Sequence, residues 1–366
     1  MERINDTVSD VFLDVQNYGA NTSSNITFIP QRRHFRGPPR MELFRRFTEI
    51  GIPVLLSAGI VGNVLILLAL LATKLKRVSF SQYLIAISIS DLAYLLSTAI
   101  IWISDHWYDI FNITGICQLT TYTWFLANFL STWFLVFAHI ERCLINFASG
   151  RRKLWCSLFR TKCIIIVVAI FSMVANLYVL WTHMVIKDRC RPMPESVIHL
   201  RNLRKVDVVF TVLIPMVMII SMDICLMLAM TSRFRRRYGN DLHKGPITAS
   251  QNGRLRNLND LPNFVEGRVR TTATCVISGI LYLTFSIPSL IIRMKLTFTD
   301  GTRRSLSDLD VMLSPIFHEI VKINFVYKFF LYILVLRGFQ RAIWNLFRSS
   351  CCRKRKRTTD PTIVAL

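Results

Sequence analysis

Charged residues are scarce in this chain: Asp, Glu, Lys and Arg make up 18% of 366 residues, where a soluble domain averages about 25%. With 52% hydrophobic residues and a mean hydropathy of +0.40, the shortage excludes an ordinary water-soluble globule. Acids are scarcest, 22 against 45 Lys and Arg, which leaves a formal charge of +23. That excess would suit a nucleic-acid binder, but such proteins do not carry long uncharged apolar runs. Cysteine is sparse too. Nine in the whole chain, mostly inside apolar runs, exclude a small disulfide scaffold. Internal repeats of the transporter kind are absent. So are a Gly-rich phosphate loop, zinc-ligand spacing and a nucleophile motif, so neither an enzyme nor a cofactor is expected.

What is present is a set of long apolar segments. A bilayer core about 30 Å thick needs roughly 20 helical residues to cross it. Residues 50–73, 110–140, 163–181 and 271–292 qualify and hold no Asp, Glu, Lys or Arg. Residues 78–104 hold only Asp91, and 208–232 only Asp223. A seventh segment, 311–336, is interrupted by Glu319, Lys322 and Lys328, so one side of it must face protein or water. Then Phe339, Ile343, Trp344, Leu346 and Phe347 form one apolar face opposite Arg341 and Arg348, which reads as a short helix on the membrane surface. The expected fold is an all-α seven-transmembrane bundle with a surface eighth helix. Its parts are an N-tail (1–47), the bundle (48–336), the surface helix (337–350) and a tail (351–366).

Charge sets the orientation. The connectors after spans one, three and five, with the C-terminal tail, hold +21 of the +23. The positive-inside rule puts these in the cytoplasm and the N-terminus outside. Asn5, Asn21, Asn25 and Asn112 each begin an Asn-x-Ser/Thr sequon, and all four fall on the predicted outer side as N-glycosylation sites. The N-tail has no apolar core before Phe47, so no cleavable signal peptide is expected and span one serves as the insertion signal.

Several residues stand at telling intervals. Gly62-Asn63 lies in span one, and Ser90-Asp91-Leu92-Ala93 follows with Asp91 28 residues after Asn63. Cys117 opens span three and Arg142 closes it 25 residues later, within Glu141-Arg142-Cys143, with Ser131 and Leu135 between. Pro215 and Pro288 are mid-span in five and six, and Tyr332 precedes Phe339 by seven. The ordered set resembles the rhodopsin-like (class A) G-protein-coupled receptors across nearly the whole span region. There are departures. The span-four Trp is missing, the span-six Trp and Phe are Ser286 and Tyr282, and NPxxY reads Lys328-Phe329-Phe330-Leu331-Tyr332. Phe in place of that proline is similar to some invertebrate peptide receptors.

The resemblance implies roles. It pairs Cys117 with Cys190 in a disulfide over the mouth of span three, and leaves Cys143, Cys156, Cys163, Cys225 and Cys275 as packing residues. It places Glu141, Arg142, Asp223 and Tyr332 at the G-protein end. Asp223, eight residues past Pro215, stands where the family has a tyrosine, and is expected to be a substitute partner for Arg142; a water-satisfied aspartate is the alternative. The Asp91 position often binds sodium in the family. Lys328 replaces the asparagine that helps it, so an Asp91–Lys328 central polar pair is expected in place of the ion. The alternative has Lys328 reaching toward the cytoplasm.

Family geometry lines a ligand pocket with Trp124, Phe125, Asn128, Asp207, Ser289, Arg293, His318, Glu319 and Lys322. Trp124 stands where amine receptors keep an Asp, so a peptide ligand is expected, with Asp207 or Glu319 meeting a ligand Arg and Arg293 a carboxylate or amide. Internal pairs, Asp207 with Arg204 and Glu319 with Lys322, are the competing arrangement. Lys322 also stands where opsins carry the retinal lysine. An opsin-like photoreceptor is therefore the rival reading, weakened by Thr120, Met184 and Ser286 where a counterion or the ring-packing Trp belongs. A receptor for another non-amine small ligand is a further alternative.

Arg233–Arg270 reads as the third inner loop, with a basic start and a disordered middle. Cys351 and Cys352 precede Arg353-Lys354-Arg355-Lys356-Arg357, which fits palmitoylation beside a polybasic, lipid-binding anchor. Thr358, Thr359 and Thr362 are candidate kinase targets, and Val364-Ala365-Leu366 a weak PDZ-type terminus. The sequence thus predicts a plasma-membrane receptor for a neuropeptide or peptide hormone that activates heterotrimeric G proteins and binds no nucleic acid.

Overall fold

The computed structural model describes residues 47–147, 157–186, 188–194, 202–203, 205–243, 260–298, 308–345 and 348. Helices dominate it: α1 (Ile52–Ala72), α2 (Ser79–His106), α3 (Ile116–Phe147), α4 (Leu158–Ala175), α5 (Ile214–His243) and α6 (Asp260–Phe298). Each belongs to a helical stretch long and apolar enough to cross a membrane. A seventh passage is built from α7 (Asp308–Val321), a 3-10 turn (Lys322–Phe325) and α8 (Lys328–Val335). A last helix, α9, spans 337–345. The fold is an all-α bundle of seven passages with a short eighth helix. One small hairpin, β1 (His183–Ile186) with β2 (Arg189–Pro192), pairs antiparallel near the start of α3.

Burial separates the roles of the helices. α2 and α3 are central; α2 buries Tyr83, Leu84, Ile87, Asp91, Tyr94 and Leu95. α4 buries only Thr161 and Ser172 and exposes Ile166, Val167, Ile170, Phe171 and Val174, so its apolar surface is suited to lipid rather than to a core. α1 approaches α8 closely at Gly62, where an added Cβ would lie 2.9 Å from the Cβ of Phe329.

Three boundaries differ from the expected ones. The third helix begins at Ile116 rather than at 110, because Gly115 takes a positive φ of 92° and redirects the chain before it. A π-helical turn, Val208–Leu213, leads into α5, where Pro215 has no amide N–H to continue an α ladder. The seventh passage is not one continuous helix. It tightens at Lys322–Phe325, and the side chain of Asn63 in α1 donates to the carbonyl of Phe325 at 2.9 Å.

α5 and α6 also continue to His243 and back to Asp260, through both ends of the segment expected to be a loop. At about 1.5 Å per residue the 39 residues of α6 reach about 58 Å, nearly twice the thickness of a bilayer core. α9 buries Phe339 and Ala342; Phe339 meets Phe329 and Tyr332 edge-on at 6.3 and 6.1 Å. Ile343 packs partly buried beside them, whereas Trp344 is exposed.

Candidate functional site

α3 carries a distinct feature at each end and a cavity between them. At its first turn Cys117 is bonded to Cys190 of β2, with the two Cα atoms 5.6 Å apart. The hairpin is tied down a second time: Asn112 Oδ1 accepts from the backbone N–H of Cys190 at 2.7 Å, and Asn112 Nδ2 donates to Asp109 at 2.5 Å. Asn112 therefore holds the loop as well as beginning a sequon. Asn5, Asn21, Asn25, Cys156, Cys351, Cys352 and the C-terminal tail lie outside the described residues.

A cavity of about 600 Å³, open solvent at its mouth included, runs between α2, α3, the π-helical turn before α5, α6 and the seventh passage. Trp124, Asn128, Ser289 and Arg293 line it as the sequence leads one to expect. Phe125, Asp207, His318, Glu319 and Lys322 are not among its lining residues. Their contacts explain why. Phe125 packs edge-on to Trp124 at 5.1 Å, and His318 lies 6.2 Å from the same indole. Asp207 accepts from Thr211 Oγ1 at 2.7 Å, one turn along the chain; its alternative partner Arg204 lies outside the described residues. Lys322 Nζ donates to both oxygens of Glu319 at 2.7 Å, so that pair is internal and buried.

The cavity floor was not read from sequence. Tyr94, Thr132, Tyr282, Ser286, Asn324 and Phe325 also line it. Tyr94 stacks on Phe325 at 3.7 Å, and Asn324 Nδ2 donates to Ser286 Oγ at 2.9 Å. The signal for Tyr94 was available: it follows Asp91 by three residues, on the same face of α2. At the bottom Lys328 Nζ donates to Asp91 Oδ1 and Oδ2 at 2.9 and 2.7 Å and to Ser131 Oγ at 3.1 Å. Ser131 itself donates to Asp91 Oδ1 at 2.5 Å. Asp91 is wholly buried and Lys328 is 3% exposed, so the ammonium reaches its acid within the bundle and not solvent.

At the far end of α3, Glu141 and Arg142 are both buried. Arg142 contacts Glu141 at 3.4 Å, donates to Thr271 Oγ1 of α6 at 3.1 Å, and lies over the Phe80 ring at 4.3 Å. Ser79 at the start of α2 donates to Glu141. This arrangement fastens α2, α3 and α6 to one guanidinium. Asp223 does not share it. Its Oδ1 lies 3.3 Å from Nε2 of His139, a residue that sequence reasoning passed over. Tyr332 is buried against Phe339, and Cys275 is buried nearby in the same core cluster.

No family model matches the chain. It is similar to the thyrotropin-releasing hormone receptor of human, 29% identical over 127 residues, and to those of mouse and cow, each 28% identical over 127 residues. These matches cover 34% of this chain and 32% of each relative, so they span about a third of the receptors they resemble. The relatives are receptors, not enzymes.

Proposed function

We propose that this chain is a rhodopsin-like G-protein-coupled receptor of the plasma membrane, with its N-terminus outside, that binds a peptide and activates a heterotrimeric G protein. One observation carries the reading: α3 runs from the disulfide-tied hairpin past the aromatic cavity to the Glu141–Arg142 clasp. A ligand entering past Trp124 and Arg293 would favour one packing of the bundle over another. Release of Arg142 from Glu141 and Thr271 would then open the inner face to the G protein. The similarity to receptors for thyrotropin-releasing hormone supports a hormone as the ligand. Arg293 lines the cavity and Lys328 is already paired with Asp91, which leaves a ligand ammonium no open carboxylate among the lining residues and disfavours an amine.

The opsin reading keeps one favourable observation, the Glu319 carboxylate on Lys322, which is the counterion a protonated Schiff base requires. Against it, Lys322 is buried and does not line the cavity. Cells expressing the full chain would be screened with a peptide library for calcium and cAMP responses, and separately with 11-cis-retinal and light. A peptide response lost in Arg142→Ala establishes the proposal. A light response lost in Lys322→Ala replaces it with the opsin.

A further inference from the structure

His139 lies one turn before Arg142, wholly buried, and meets only acceptors. Its Nδ1 is 2.7 Å from the carbonyl of Leu135, and its Nε2 is 2.9 Å from the carbonyl of Cys275 in α6 and 3.3 Å from Asp223 Oδ1 in α5. The Nε2 side of the ring thus faces both the α6 carbonyl and the α5 carboxylate, while Nδ1 faces back along α3. Asp223 is 3% exposed, and neither of its oxygens accepts an aligned hydrogen bond among the described residues. Gly279 makes room for it: a Cβ there would overlap the carboxylate, whose Cγ would lie 2.8 Å away. Three helices thus converge on one buried imidazole, and Arg142 is engaged elsewhere, with Glu141, Thr271 and Phe80.

We propose that His139 and Asp223 form a buried polar latch that holds α5 and α6 against α3 in the resting bundle, separate from the Arg142 clasp. The two fastenings differ in kind. Arg142 touches three partners, whereas Asp223 is held by one loosely aligned contact and the space left by a glycine. Asp223 has one contact to lose where Arg142 has three, so the latch is the contact readiest to give way when α6 moves outward. Once free, Asp223 becomes available to water or to the Arg142 guanidinium.

Cys275 supplies a native reporter, since its thiol is buried and its carbonyl is part of the latch. The signalling consequence of the latch rests on the receptor reading above; this thiol test does not. Membranes holding the full chain are treated with N-ethylmaleimide, and modification of the Cys275 peptide is followed by mass spectrometry, with Cys275→Ser as the blank. Only variants that reach the surface with the Cys117–Cys190 bond intact are compared. Asp223→Asn and His139→Asn should each speed labelling of Cys275 by at least about ten-fold, and the double variant should add nothing to either. Gly279→Ala should open the same site with both partners present. Protection of Cys275 in both single variants, or additive effects in the double, overturns the latch. Faster labelling without a rise in basal G-protein signalling keeps the latch and counts against the receptor reading.

Discussion

Lys328 of the seventh passage reaches both carboxylate oxygens of Asp91 in α2 and the hydroxyl of Ser131 in α3, so one ammonium joins three helices at the centre of the bundle. A cation already occupies the place between these oxygens, and a sodium ion would have to displace it against the attraction of the pair. Agonist affinity is therefore expected to be the same in sodium and in a sodium-free buffer of equal ionic strength. A sodium effect on binding that disappears in Asp91→Ala would refute the substitution of ion by lysine.

The same pair predicts an asymmetry in stability. Removing one partner of a buried ion pair strands the other charge and costs about 3–5 kcal/mol, whereas replacing both with apolar groups of similar size is often neutral. Asp91→Asn should lower the melting temperature of the purified protein in detergent, and Asp91→Leu with Lys328→Met should recover most of the loss. Equal melting of the single and double variants would show that the ammonium finds another partner.

Seven passages were legible in the sequence because hydropathy and charge report on the solvent around a helix, and lipid imposes that constraint on the whole span. The central pair was legible for the same reason, since Asp91 and Lys328 are expensive wherever they lack a partner. Local departures from helix were not. Ile110, Phe111 and Ile113 read as the start of span three, yet Gly115 and the Asn112 bond to Cys190 turn them into a loop. The tightening at Lys322–Phe325 leaves the apolar pattern unchanged, so periodicity is blind to it. His139 on an apolar helix looks like a packing residue, and only its neighbours on α5 and α6 mark it out.

That tightening leads to a prediction about Asn63. Its side chain donates to the carbonyl of Phe325 and to that of Gly59, both at 2.9 Å, inside the bundle. Asn63→Leu keeps the volume roughly but leaves the Phe325 carbonyl without that donor, at a cost of about 1–3 kcal/mol. The loss is expected as a lower melting temperature, with Asn63→Asp less damaging at a pH where the acid is protonated and can still donate. An unchanged melting temperature in Asn63→Leu would mean that water serves the carbonyl equally well.

The hairpin over α3 should be fastened unequally by its two ties. The Cys117–Cys190 bond joins residues 73 apart, and loop-closure entropy alone gives it about 4 kcal/mol. The Asn112 bond to the Cys190 N–H contributes about 1 kcal/mol. Cys117→Ala is expected to reduce surface expression severely, and Asn112→Gln to reduce it slightly, with the glycan's own contribution controlled by Thr114→Ala. A loss as severe in Asn112→Gln as in Cys117→Ala, with Thr114→Ala normal, would make the asparagine the main tie.

Ser286 decides how deep the cavity runs. It accepts from Asn324 at 2.9 Å and lines the floor between Tyr282 and Lys328. Its small side chain leaves open the space that a larger residue on the same turn of α6 would fill. Ser286→Trp would place an indole there and separate the mouth, with Trp124 and Arg293, from the Asp91–Lys328 pair below. If the ligand reaches the floor, this variant should lose agonist potency by at least about ten-fold, equivalent to about 1.4 kcal/mol of binding, at normal surface expression. Ser286→Ala, which removes only the hydroxyl, should lose much less. Normal potency in Ser286→Trp would confine the ligand to the upper cavity, and Arg293→Ala would then be the variant that abolishes the response.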